Sequence, residues 1–209
     1  KAGPYDLVGW LTFSPDGKTL AYRAQIDNKW YLIAGKGKAG PYDGVDELEF
    51  SPDGKTLAYE AKIDNKWYLI AGKEKAGPYD DVGWLTFSPD GKTLAYSAQI
   101  DNNWYVIAGK EKAGPYDFVF ELRFSPDGKT LAYEAQIDNK WYLIAGKGKA
   151  GPYDGVDELE FSPDGNTLTY YTKIEGEWYT KILINGKEYI GSTVNGVVIY
   201  VDNGTIYIK

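Results

Sequence analysis

Phe50-Ser51-Pro52-Asp53-Gly54-Lys55-Thr56-Leu57-Ala58-Tyr59 is the stretch whose reading decides the fold. Pro52 presets φ for the first corner of a tight turn, Asp53 can bond its own backbone, and Gly54 accepts a positive φ. Upstream, Val45, Leu48 and Phe50 lie among polar residues, as in a half-buried strand. Downstream, Thr56 to Ile63 is rich in strand formers, and Asp64-Asn65-Lys66 supplies a second turn. Trp67 to Ala71 is nearly all apolar, as expected of a strand covered on both faces. Gly72 to Lys75 turns again into a short outer strand, Ala76 to Asp80. Pro78 belongs there, because a proline has no N–H for a ladder and is tolerated at an edge. No segment sustains a helical period.

The stretch is one phrase of a sentence written five times. Lys-Ala-Gly-Pro-Tyr-Asp opens at Lys1, Lys38, Lys75, Lys112 and Lys149, a period of 37 residues. A fixed period of this size marks a repeat architecture, in which each unit buries its apolar face on its neighbour. Four short antiparallel strands per repeat predict an all-β fold, a β-propeller of four-stranded blades. The blades are expected at roughly 7–43, 44–80, 81–117, 118–154 and 155–190, all within a single domain. The tail, 191–209, reads as three more strands with a hairpin signal at Asn195-Gly196. Together with Lys1 to Asp6 it is expected to form an abbreviated sixth blade that joins the chain ends and hides exposed edges. The alternative is five blades with the tail packed outside.

Phe-Ser-Pro-Asp-Gly-Lys-Thr-Leu-Ala-Tyr resembles the Ser-Pro-Asp-Gly signature of WD40-like (PD40) propeller repeats, as in TolB-type periplasmic proteins. The likeness spans residues 1 to about 190. It implies a fold whose signature residues are structural and whose members mostly present interaction surfaces. For a natural member it implies the bacterial periplasm or cell surface. The repeat is shorter than the family's, and its copies are unusually alike. Near-identity of copies in a chain without Met, Cys or His reads as a recently amplified or engineered scaffold; the differently worded tail points to a natural origin.

Composition narrows the chemistry. The absence of Cys removes disulfides and thiolate sites, and the absence of His removes the commonest general base and metal ligand. A net charge of −7 argues against nucleic acid, whose binders carry a basic footprint. No apolar run approaches the roughly 20 residues of a membrane helix, so no membrane insertion is expected. Without a signal peptide or initiator Met, the chain is expected to start inside a larger product or to have been trimmed.

Any site made once must lie where the copies differ. The second and fourth copies differ at five of 37 positions: Gly44/Phe118, Asp46/Phe120, Glu49/Arg123, Lys62/Gln136 and Glu74/Gly148. Three of the five fall at the start of the first strand. In a propeller that strand lines the central channel, beside the face where ligands usually dock. Trp10 and Trp84 share Gly-Trp-Leu-Thr, and Glu47, Glu121 and Glu158 hold the same slot elsewhere. Indoles near carboxylates can stack on a sugar or hold a cation; equally, the indoles can fill space between blades. Phe118 and Phe120 suggest a contact patch or a channel plug, and Arg123 stands beside them. These eight residues are the candidate ligand surface, for a protein, peptide or glycan. Differences there also fit neutral drift.

The recurring Trp30, Trp67, Trp104, Trp141 and Trp178 read as core. Asp6, Asp43, Asp80, Asp117 and Asp154, and the Asp of each Asp-Asn turn, read as backbone caps rather than a metal site. No Ser-His or Cys-His dyad can form, and no carboxylate pair stands out from its copies, so neither catalysis nor a cofactor is expected. The chain is expected to be a monomeric scaffold or interaction module. Copies this alike also permit blade exchange between molecules.

Overall fold

The computed structural model describes residues 3–184, 186–194, 197–202 and 205–208. Every regular element among these residues is a strand. The first sheet holds β1 (Leu7–Phe13), β2 (Leu20–Ile26), β3 (Lys29–Ala34) and β4 (Gly37–Tyr42). The second holds β5 (Gly44–Phe50), β6 (Leu57–Ile63), β7 (Lys66–Ala71) and β8 (Glu74–Tyr79). The third holds β9 (Asp81–Phe87), β10 (Leu94–Ile100), β11 (Asn103–Ala108) and β12 (Glu111–Tyr116). The fourth holds β13 (Phe118–Phe124), β14 (Leu131–Ile137), β15 (Lys140–Ala145) and β16 (Gly148–Tyr153). Each is an antiparallel meander in chain order, the topology that short turns favour.

The fifth sheet departs from this plan. β17 (Gly155–Phe161), β18 (Thr167–Ile174), β19 (Glu177–Ile184) and β20 (Lys187–Val194) continue into β21 (Val197–Asp202) and β22 (Thr205–Ile208), giving six strands in one sheet. The sixth blade expected from the tail is therefore not formed among the described residues. A strand joined by a short connection pairs with the edge it has just left, so β21 extends β20 in place of founding a new sheet. Gly3 to Asp6 adds no strand, and Lys1 and Ala2 lie outside the described residues, as do the tail turns at 195–196 and 203–204.

The chain divides into two compact units, Lys1–Gly114 and Pro115–Lys209. In the first unit, Leu32 of the first sheet packs with Val45, Tyr59 and Ala61 of the second, flanked by Trp30 and Tyr42. Leu69 of the second sheet meets Val82, Leu85, Phe87, Tyr96 and Ala98 of the third in the same way. In the second unit, Leu143 and Tyr153 meet Val156, Leu159, Leu168 and Tyr170. Within each unit, neighbouring sheets thus bury their facing sides on one another, which is why a lone copy has no core.

The signature turn explains its own residues. Ser51 Oγ donates to Asp53 Oδ1 (2.8 Å) and accepts the Thr56 N–H (2.9 Å), while Asp53 accepts the Lys55 N–H (3.1 Å). Gly54 closes the turn at φ 70°. The bonds recur at Ser14, Ser88, Ser125 and Ser162. These serines hold turns together.

Candidate functional site

The first strand of every sheet carries a β-bulge. In β1, Gly9 pairs with Arg23 and Leu11 with Tyr22, so Trp10 has no partner across the ladder. Glu47, Trp84, Glu121 and Glu158 lie at the corresponding shifts of β5, β9, β13 and β17. All five residues have left-handed backbones, with φ of 42°, 25°, 47°, 34° and 54° in chain order. Such conformations cost on the order of 1–3 kcal/mol each in non-glycine residues and persist where the surroundings enforce them. The gain is directional, since a bulge re-aims the side chain it carries. The slot that varies between Trp and Glu is therefore a slot of fixed, unusual geometry.

What these side chains do differs by copy. Each first strand is a sheet edge, with N–H groups that no ladder satisfies. Glu47 Oε2 accepts the Leu85 N–H (3.2 Å), and Glu49 Oε1 accepts the Phe87 N–H (3.2 Å). The second sheet thereby caps the edge of the third. Burial raises the pKa of both carboxyls, and the N–H bonds pull back against it. In the second unit, Glu121 Oε2 takes the Leu159 N–H at 3.5 Å and Glu121 Oε1 binds Arg123.

Two hollows gather the candidates. In the first unit, a hollow of about 160 Å³ is lined by Trp10, Glu47, Leu48, Glu49 and Leu85. In the second, a hollow of about 320 Å³ is lined by Glu121, Arg123, Glu158, Leu159, Glu160, Thr169, Tyr171 and Thr180. Trp84 sits at its own bulge and lines neither. Phe118 and Phe120 stack with centroids 6.5 Å apart, and Phe118 meets Trp141 edge-on at 6.3 Å. Both phenylalanines are more than a third exposed, an apolar pair facing solvent. A larger hollow of about 520 Å³, near Thr130, Lys149, Gly165 and Glu188, contains none of the candidates.

One variable slot escapes the comparison of the second and fourth copies, because both carry Glu there. It is the strand-two position opposite the bulge: Arg23, Glu60, Ser97, Glu134 and Tyr171. Comparing all five copies would have found it. Arg23 Nη1 donates to Val45 O (2.7 Å) and to Asp46 Oδ1 (3.0 Å), and its guanidinium lies over Trp30 and Trp10. Glu60 and Glu134 are 3% and 1% exposed, and Oε1 of each has no hydrogen-bond partner. Burial, reinforced by Glu47, Asp46 and Asp81, pushes the Glu60 carboxyl up to about 9. Burial, reinforced by Glu121 and Asp157, pushes Glu134 up to about 8. Both acids therefore hold their protons at neutral pH.

The aspartates before each first strand act as caps. Asp43 Oδ2 accepts the Asp64 N–H (2.9 Å), and Asp43 Oδ1 binds Lys29 Nζ (2.7 Å), which holds the carboxyl below its usual range. Asp6, Asp80 and Asp154 make the same N–H bond. Among the described residues no three acidic side chains converge as a metal ion would require.

Comparison with solved structures fixes the architecture. The β-propeller domain of the Trilobed protease from Pyrococcus furiosus matches 98% of this chain and 82% of that one, at 11% identity and a TM-score of 0.57. An oligogalacturonate lyase in complex with manganese matches 93% of this chain and 74% of its own, at 15% identity and a TM-score of 0.54. The fold is that of a β-propeller. A TolB-like protein from Agrobacterium tumefaciens shares the propeller fold over 88% of this chain and 80% of its own, at 17% identity and a TM-score of 0.51. No protein-family model matches the sequence. No curated protein matches it either. Propellers of this architecture include enzymes as well as TolB, so the fold leaves the activity to be argued from the site. No helix among the described residues is long and apolar enough to cross a membrane.

Proposed function

We propose that the chain is a non-catalytic interaction module that presents the side chains of its bulged first strands to a peptide or glycan. One observation carries this reading: copies otherwise almost identical differ chiefly on these strands, each of which holds its bulge residue, Trp or Glu, in one left-handed geometry. Trp10 with Glu47 and Glu49, and Arg123 with Glu121 and Glu158, combine flat apolar surface with charge. Such a combination suits the ring face of a sugar or the side chains of a peptide. Phe118 and Phe120 add an apolar anchor.

Glu47, Glu49 and Glu121 are occupied as caps and ion partners, the serines as turn bonds. The serine hydroxyls that do meet a carboxylate, Ser51 Oγ on Asp53 Oδ1 for one, are fixed inside turns, which argues against hydrolysis.

A panel of glycans and short peptides, read by thermal shift and titration calorimetry, tests the proposal. A ligand that binds the folded chain raises its melting temperature by mass action. The expected result is a shift that disappears in Trp10→Ala with Trp84→Ala, or in Phe118→Ala with Phe120→Ala. A shift unchanged in both variants sinks the assignment of the site, and turnover of any panel member sinks the non-catalytic reading.

A further inference from the structure

The third strand of the fifth sheet outruns its counterparts. In the first four sheets that strand ends at Ala34, Ala71, Ala108 or Ala145, and a Gly-Lys pair then turns the chain. In the fifth, Leu183 and Ile184 stand in place of Gly-Lys, so β19 has eight residues where β15 has six. Its hairpin with β20 therefore projects two residues further before it turns. Leu183 on this extension packs toward the fourth sheet, against the core that holds Leu143 and Leu168. Beside it, between the fourth and fifth sheets, lies the hollow of about 520 Å³.

The polar bonds at this junction also depart from the repeat. In the first unit the sheets are bridged by tyrosine hydroxyl pairs, Tyr42 with Tyr59 (3.0 Å) and Tyr79 with Tyr96 (2.9 Å). Tyr153, at the corresponding place, donates instead to Glu188 Oε2 (2.7 Å). Lys181 donates to Glu188 Oε1, and it stands where the other four copies carry Ile33, Ile70, Ile107 and Ile144. Glu188 pairs across the ladder with Leu183, so an acid is set on a wall that is otherwise apolar.

Two charged residues line the hollow, Lys149 and Glu188. Lys149 is engaged elsewhere: its Nζ lies 3.8 Å from the centre of the Tyr142 ring, as Lys38, Lys75 and Lys112 lie over Tyr31, Tyr68 and Tyr105. A carboxylate offers roughly four lone-pair sites, and Tyr153 and Lys181 take one each. Glu188 thus keeps acceptor capacity for a ligand, and the chain's net charge of −7 favours a cation. Leu143, Leu168, Leu183 and Phe161 supply the apolar surface around it. Mostly apolar hollows of about 300–1,000 Å³ with a few placed polar groups suit small molecules. We propose that this hollow binds a small primary amine with an apolar body, its ammonium on Glu188 and its body along the leucines. The proposal does not rest on the ligand reading above, since none of the bulge residues lines this hollow.

Titration calorimetry at pH 7 with hexylamine is the test, with hexan-1-ol and hexanoate as probes of the same body. The chain is expected to bind hexylamine at one site, hexan-1-ol about tenfold more weakly, and hexanoate not at all. Glu188→Gln is expected to weaken hexylamine about tenfold and leave hexan-1-ol unchanged. Because that change strands Lys181, Glu188→Gln with Lys181→Met is measured beside it, and the same loss is expected. Ala145→Leu, which narrows the hollow and keeps the acid, should weaken both probes. Hexylamine bound no better than hexan-1-ol, or not bound, overturns the proposal. So does hexylamine binding that survives unchanged in the double variant or in Ala145→Leu.

Discussion

The junction of the first and second sheets and the junction of the second and third are built on one plan, yet they differ in charge at the strand-two slot opposite the bulge. At the first, Arg23 reaches across to Val45 O and to Asp46 Oδ1. At the second, the same slot holds Glu60, buried beside Glu47, Asp46 and Asp81 and kept protonated. The apolar contacts on either side hardly change. The repeat therefore fixes packing and leaves the charge of each junction free, and a buried slot tolerates an acid only by keeping its proton.

The largest effect is expected from turning the first junction into the second. Arg23→Glu removes the donor to Asp46 and sets beside it an acid that must keep its proton, at a cost of about 2–4 kcal/mol, read by urea denaturation at pH 7. Arg23→Met, which keeps bulk without charge, should cost clearly less; equal losses would show that the guanidinium matters only as volume.

The next expectation runs the other way. Glu60 and Glu134 hold protons in the folded chain that the unfolded chain releases near 4.5. The folded state binds more protons above that pH, so their contribution is fully present below about 4.5 and is lost as pH rises, through about 8 for Glu134 and about 9 for Glu60. Stability should fall across that window. Glu60→Gln carries no proton to lose, and is expected to gain about 1–3 kcal/mol at pH 7 while matching wild type at pH 4. A gain independent of pH would locate its origin elsewhere.

A smaller gain is expected from copying the first junction into the second unit. Glu134→Arg places a guanidinium toward Asp157, as Arg23 faces Asp46, and should stabilise by on the order of 1 kcal/mol while removing the pH dependence due to Glu134. The smallest is Thr12→Glu, which gives the first sheet the carboxylate that Glu49 supplies in the second. Capping the Phe50 N–H should add about 0.5–1 kcal/mol in denaturation and slow amide exchange at Phe50. Unchanged exchange there would argue against edge capping as the role of this slot.

Much of the architecture is legible from residues alone. Ser-Pro-Asp-Gly marks the turns that the structure closes with Ser Oγ and Asp Oδ1 bonds, Asp-Asn marks those held by an Asp Oδ2 from before the first strand, and Val45, Leu48 and Phe50 mark a covered face. Locating the variable side chains on the first strand also needed only a comparison of copies. The bulge left its mark in the spacing of Val45, Leu48 and Phe50, three residues and then two, which strict alternation does not give and which the pairing of β5 with β6 explains. The tail misled. Its strands were readable, but which sheet they join depends on whose edge lies nearest.

Leu11 and Leu85 draw the boundary between the two kinds of knowledge. Both stand in Gly-Trp-Leu-Thr after the same turn pattern, and that sequence alone makes each an apolar residue of a bulged strand. Tertiary structure decided that Leu85 is 8% exposed and Leu11 68%. Local sequence sets backbone geometry and the face on which a side chain stands. Burial belongs to a pair of sheets, and Leu85 follows another copy in the chain while Leu11 belongs to the first.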